Sequence, residues 1–181
     1  NNDTDVFTVD LFYRKDQEDP HRSRFELREL SYIHVGEYWE FKAGIRKEFW
    51  GVTEFQHLVD VINQTDTVED IDGEDKLGQQ MINLSLLSHW GVFDIYALPG
   101  FRERTFVSES GRFRGPMVVD TENITYESSA QDDHVDLAVR WNHTVGIFDI
   151  GAYWFKGTNR EPLLRQAQEK LQQHYRQMTQ I

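Results

Sequence analysis

The chain has 181 residues, a formal net charge of −12, a pI near 4.9 and no cysteine, which fits one domain or a piece of a larger one. The acidic balance excludes a nucleic-acid partner, because phosphate neutralisation needs a concentrated basic surface, and the missing thiols exclude disulfides and thiolate metal centres. No apolar run is long enough for a membrane-spanning helix, whereas the mean hydropathy of −0.63 leaves a membrane β-barrel open, since only alternate residues of barrel strands face lipid.

A period of two dominates the chain. Val6–Arg14 sets Phe7, Val9, Leu11 and Tyr13 against Thr8, Asp10, Phe12 and Arg14. After the charged loop KDQEDPHR, Arg24–Ile33 returns with Phe25 and Leu27 opposed to Arg24, Glu26 and Arg28. Its phase slips near Glu29, so that Leu30 and Tyr32 become the apolar positions, which predicts a β-bulge. A turn at HVGEY leads into Tyr38–Glu48, where Trp39, Phe41, Ala43 and Ile45 alternate with Glu40, Lys42, Gly44, Arg46 and Glu48.

A long excursion follows. Thr53 and Gln56 have capping-box spacing, and Phe55, Leu58, Val59 and Ile62 repeat at helical intervals, which predicts a short amphipathic helix over Thr53–Ile62 before an acidic loop. Met81–Ser88 and Val92–Leu98 form a hairpin around SHWG, and Pro99-Gly100 opens a second long segment in which Asn123–Ser128 reads as a local strand. His134–His143 and Gly146–Lys156 make another hairpin: Val135, Leu137, Val139 and Trp141 alternate with Asp136, Ala138, Arg140 and Asn142, and Phe148, Ile150, Ala152 and Trp154 with Asp149, Gly151 and Tyr153. GTNREP then opens a third long loop, with Leu164, Ala167, Leu171, Tyr175 and Met178 on one helical face.

The strands of ~9–11 residues are joined by connections that alternate between short and long, as in outer-membrane barrels with short periplasmic turns and long external loops. The expectation is an all-β fold: an antiparallel up-and-down meander, part of a transmembrane β-barrel, with short helices in the long loops. Residues 1–181 read as a single barrel segment, incomplete at both ends, because seven strands do not close a bacterial single-chain barrel and the polar opening NNDTD has no signal-peptide pattern.

Six phrases carry a resemblance: FWGVTEFQHLVDVINQTD (49–66), EDKLGQQM (74–81), LPGFRERTF (98–106), GRFRGP (111–116), DLAVRW (136–141) and FKGTNREPLL (155–164). Together they resemble a group of porin-like outer-membrane β-barrel proteins of Gram-negative bacteria, over nearly the whole chain. The resemblance implies a bacterial outer-membrane location, a barrel architecture and a pore. It names no solute.

On the polar faces lie Arg14, Arg28, Glu40, Lys42, Arg46, Glu48, Asp136 and Arg140, which would line the lumen of a barrel because charge facing hydrocarbon costs ~2–4 kcal/mol at mid-membrane. The alternative is the solvated face of a soluble sheet. Arg102, Arg104, Arg112 and Arg114, interleaved with Phe101, Phe106 and Phe113, could fold inward to meet an anionic solute, pair with the surplus acids, or hold lipopolysaccharide phosphate from an external loop. Glu54, His57 and Asp60 on the polar side of the predicted helix would form a constriction, but no second histidine at i+4 supports a metal site, and no cofactor motif is present. Asp66, Glu69, Asp70, Asp72, Glu74 and Asp75 supply oxygens suited to calcium without EF-hand spacing, which favours a solvated acidic loop. The Asn-x-Ser/Thr triplets at Asn2, Asn63, Asn83, Asn123 and Asn142 fit turns and polar strand faces better than glycosylation.

Three functions compete. The first is a passive pore for small polar or charged solutes, partnered by outer-membrane lipid, lipopolysaccharide and the rest of the barrel. The second is a soluble carbohydrate-active β-sandwich enzyme, with Trp50, Trp90, Trp141 and Trp154 stacking on sugars beside two acid-base carboxylates. The third is a non-conducting binding or structural barrel.

Overall fold

The computed structural model describes residues 4–50, 61–69, 73–112, 114–167 and 169–181. Their strands are β1 (Thr4–Arg14), β2 (Arg24–Val35), β3 (Trp39–Arg46), β4 (Gln79–Ser88), β5 (Gly91–Pro99), β6 (Val119–Tyr126), β7 (Val135–Val145), β8 (Phe148–Thr158), β9 (Leu163–Ala167), β10 (Lys170–Tyr175) and β11 (Gln177–Gln180). Eight of them form one antiparallel sheet in the order β1-β2-β3-β4-β5-β7-β8-β11, so every strand pairs with the next main-sheet strand along the chain. The sheet is open, with β1 and β11 at its edges. β6, β10 and β9 make a separate three-stranded sheet in which β10 runs parallel to β6.

Residues directly opposite one another on neighbouring strands share a face, and the register carries an apolar set from β1 to β8. Val9 lies opposite Leu30, Leu30 opposite Ile45, Ala43 opposite Ile82, Leu84 opposite Ile95, Ile95 opposite Val139 and Val139 opposite Trp154. This face stays uncovered: Phe7 is 76% exposed, Val9 61% and Leu137 45%, with Phe41 and Ile45 half-buried among their neighbours. The other face carries Arg14, Glu26, Lys42, Arg46, Asn83, Asp94, Asp136 and Arg140. It is the covered face, where Trp50, Val61 and Ile62 from the β3–β4 connection pack with Met81, Tyr96, Leu98, Ala138 and Phe155 of the sheet.

The predicted strands are found with small shifts at their ends, and the bulge falls on Arg28. Asp10 pairs with Glu29 and Leu11 with Leu27, leaving Arg28 as the additional residue that restores the apolar phase. Next to this irregularity Gly44 adopts φ +133°, and a Cβ built on it would stand 2.0 Å from the carbonyl oxygen of Leu30. Only glycine permits so close an approach of β3 to β2.

The helices expected in the long loops are not found where the chain is described. The stripe over Leu164–Met178 is instead β9, β10 and β11. Within β10 the buried positions are Gln173 and Tyr175, two apart, and Tyr175 packs against Phe101 and Tyr126 at centroid distances of 4.8 and 5.6 Å. Tertiary packing of one aromatic overrides a helical period that the sequence satisfies equally well. Among the described residues the helical turns are Pro20–Arg22 and Gln131–Asp133, both 3₁₀. The predicted helix lies outside the described residues except for Val61 and Ile62, which are buried and not helical. The expected strand Asn123–Ser128 is β6, shifted toward the N-terminus.

Replacing Gly44 by alanine should destabilise the sheet by roughly 1–3 kcal/mol or more, from the positive φ alone and before the clash with Leu30 is added. Urea unfolding in detergent checks this against Gly151→Ala, whose new Cβ would meet the Asn142 side-chain oxygen at 2.9 Å, a group free to turn away.

Candidate functional site

The polar face is a field of ion pairs built between the strands and the segments that cross them. At the β1–β2 end, Phe12 alternates with the charged positions and offers its ring to the neighbouring arginines, with the Arg28 guanidinium 3.5 Å from its centroid. Glu69 collects three of them: Arg14 at 3.0 Å, Arg24 at 3.2 Å and Arg28 at 3.3 Å. Asp66 is buried and accepts from Arg24, from the Thr105 hydroxyl at 2.7 Å and from the backbone N–H groups of Val68 and Glu69. Burial alone would raise the Asp66 carboxyl, but the hydrogen bonds from Arg24 and Thr105 outweigh it and hold the group below its ordinary value. Arg102 pairs with Glu26 and donates to the Gly78 carbonyl at 2.9 Å.

Nearer the middle of the sheet, Arg140 grips Asp94 through Nε at 3.1 Å and Nη2 at 3.0 Å, while Ser85 donates to the same carboxylate at 2.6 Å. Glu48 stands 3.5 Å from Arg46 and accepts from the Tyr96 hydroxyl at 3.3 Å. Trp50 covers this group, its ring 5.7 Å from the Arg140 guanidinium. Lys42 pairs with Glu40 at 3.2 Å.

A third cluster ties the crossing segment down. Asp136, 0% exposed, accepts from the Thr158 backbone at 3.0 Å, from Arg160 Nη1 at 2.6 Å and stands 2.7 Å from His134 Nδ1. Arg160 sends Nε and Nη2 to the carbonyl of Ile62 at 3.1 and 2.9 Å, with its plane near the rings of Phe101 and Phe155. Asn63 completes the anchorage, donating to the carbonyls of Arg46 and Leu77 at 2.9 Å and accepting from the Glu48 N–H at 2.7 Å. The β3–β4 connection is thereby fixed across the charged face at both of its described ends.

Several expectations are corrected here. Asp136 lies on the polar face as expected but is sealed under Arg160, so it lines no open surface. The acidic loop is not simply solvated, since Asp66 and Glu69 spend their oxygens on arginines and backbone N–H groups and keep none arranged for calcium. Asp70 and Asp72 lie outside the described residues, as do Glu54, His57 and Asp60. The arginine cluster divides: Arg102 joins Glu26, Arg104 pairs with Glu161, and Arg112 and Arg114 are exposed. Asn63 and Asn83 are buried and hydrogen-bonded, which closes both to glycosylation.

Sequence reasoning missed Arg160, the keystone of the third cluster, because it follows β8 in a polar loop where no periodicity marks it. Asp94 had a visible signal, the alternation in VFDIY, which puts a carboxylate among the polar-face positions. The partnership of Asp66 and Glu69 with β1 and β2 had no signal, because it joins residues 42 and 55 positions apart.

Truncating Arg160 to alanine leaves the buried Asp136 with the Thr158 N–H and His134 but without its guanidinium, and should cost up to about 3–5 kcal/mol in urea unfolding. Asp136→Asn added to it should recover part of the loss, as coupled neighbours do. Asp66 has a lowered folded-state pKa against an ordinary value of 3.8, so its stabilisation is present above that value and lost as pH falls through the folded pKa. Asp66→Asn should therefore unfold at lower urea than the unsubstituted protein at neutral pH, with the gap narrowing below about pH 4. Compared with family models, with curated proteins and with solved structures, the chain matches none.

Proposed function

We propose that this chain forms the wall and inward-folded connections of an outer-membrane β-barrel that passes small polar or charged solutes passively. One observation carries the reading: an apolar face that register partners carry across seven strands, β1 to β5, β7 and β8, is left exposed, while the charged face is the one covered. A soluble sheet buries its apolar face, and contiguous exposed apolar surface of this extent marks a lipid or protein contact. Along β5 the outward residues run from Phe93 to Pro99, about 20 Å at ~3.4 Å per residue, close to the ~25 Å apolar band of outer-membrane barrels. A β-sandwich enzyme would divide these strands between two packed sheets, whereas here they belong to one.

A pore requires the free edges at β1 and β11 to be sealed, by further strands or by a second copy. The crossing segments and the dense ion pairing on the inner face favour, as a second reading, a barrel that binds or supports without conducting. The likeness to porin-like proteins, the outer-membrane location and the lipid and lipopolysaccharide partners belong to the same proposal.

Single-channel recording of the protein reconstituted in a planar bilayer tests it. Discrete conductance steps are expected for the pore, and their absence leaves the non-conducting barrel. Replacing Lys42 and Arg46 by glutamine removes two cations and leaves Glu40 and Glu48 without them, which should move the reversal potential in a salt gradient toward cations without abolishing conductance. An unchanged reversal potential would place both residues off the permeation path.

A further inference from the structure

Two of the four arginines in the divided cluster line one cavity. Arg104 and Arg114 both line a cavity of 360 Å³, whose walls are Phe106, Val107, Met117 and Leu164. This volume lies at the small end of ligand pockets, roughly 300–1,000 Å³, which combine apolar walls with a few polar groups that set orientation. Arg104 reaches Glu161 through Nη1, yet its Nε is buried without a hydrogen-bond partner. Among the described residues Arg114 makes no ion pair, in a chain with 31 acidic and 19 basic side chains. The neighbouring larger cavity, of 490 Å³, has the opposite sign: Glu109, Asp120 and Glu122 line it with a single lysine, Lys170.

Two arginines lining a cavity with apolar walls select a particular chemistry. A carboxylate gains charge-assisted, geometrically matched hydrogen bonds from guanidinium, and a flat or branched hydrocarbon body fills the space between phenylalanine, methionine and leucine. A small inorganic anion would leave the apolar walls unused, and a neutral apolar molecule would leave the lining guanidinium groups without an added counter-charge. From this combination we infer that the cavity binds a small amphipathic monocarboxylate of one or two rings, its carboxylate between Arg104 and Arg114. Glu161 competes with that carboxylate for Arg104. The site is formed by residues outside the main sheet, so it depends neither on conduction nor on closure of a barrel.

Equilibrium dialysis in a nonionic detergent, with detergent alone subtracted, tests the site with three probes: naphthoate, its neutral isostere naphthamide, and acetate. Naphthoate should bind saturably, one per chain, and at least tenfold more tightly than either of the others. Arg114→Gln, an exposed position that should not disturb folding, should weaken naphthoate by about tenfold or more. Glu161→Gln should tighten it by releasing Arg104, and Arg165→Gln, on β9 but outside the cavity, should leave it unchanged. Equal binding of the amide, equal losses from Arg165→Gln and Arg114→Gln, weakening by Glu161→Gln, or no saturable binding would each overturn the assignment. Because binding is read directly, none of these outcomes depends on whether the protein forms a pore.

Discussion

The backbone ladder is the constraint from which the other features follow. Once β1 to β5, β7, β8 and β11 pair in sequence order, a side chain's face is decided by whether its position is odd or even relative to its partner strand. A slip of one residue anywhere would send arginines and aspartates into the apolar face. Among the described residues the main sheet meets one such slip, between Leu27 and Glu29, and absorbs it with an additional residue, Arg28, rather than carrying it into β3. Gly44 lets β3 approach the irregular strand closely enough to continue the ladder. The bulge thereby keeps Leu30 and Tyr32 in line with Ile45 and Ala43, and it also turns Arg28 onto Phe12 and toward Glu69.

On the opposite face, the charges solve a different problem. Thirty-one acids and nineteen bases cannot all meet water if segments fold across the sheet, so burial there demands pairing. Asp66, Asp94 and Asp136 each receive several donors, one of them in every case an arginine that can bond through more than one nitrogen. Ion pairs of this kind give little net stability compared with apolar contacts, but they are costly to break singly. Their consequence is positional: Ile62 and Asn63 are held where Arg160, Arg46 and Leu77 require them, and the connection between β3 and β4 lies over the charged face at its described ends.

This division also explains what the sequence made legible. Strand positions and faces were visible because alternation is local and because both hairpin turns at His89-Trp90 and Gly146-Ile147 are short. The stretch from Leu164 to Met178 reads as helical in the sequence because Leu164, Leu171 and Tyr175 satisfy a helical stripe as well as strand faces, and the deciding contact, Tyr175 against Phe101 and Tyr126, joins residues far apart in the chain. The same holds for the site. Arg14, Lys42, Arg46 and Arg140 could be placed on a face from alternation, but their partners could not, because Glu69, Asp66 and Arg160 sit in connections whose course no period describes. Asp136 shows the limit most clearly: its face was readable, but its burial under Arg160 was not.

The two ends of the sheet differ in a way that bears on orientation. The short turns β2–β3, β4–β5 and β7–β8 lie at one end, and that end is aromatic: Trp141 donates to the Trp90 carbonyl at 2.8 Å, Phe93 stands 6.3 Å from Trp141, and Trp39 lies 4.9 Å from His34. The long connections, with the ion-paired segments and the arginine-lined cavity, lie at the other end, where Tyr13 and Phe25 are the outward aromatics. Indole and phenol rings are favoured where hydrocarbon meets water because each has an apolar body and a polar edge, so the aromatics at both ends bracket the apolar band. Under the proposed barrel, the short turns face the periplasm and the long connections face outward. A solute arriving from outside would then reach Arg104 and Arg114 before Lys42 and Arg46, meeting a selective recess in the loops ahead of the charged wall.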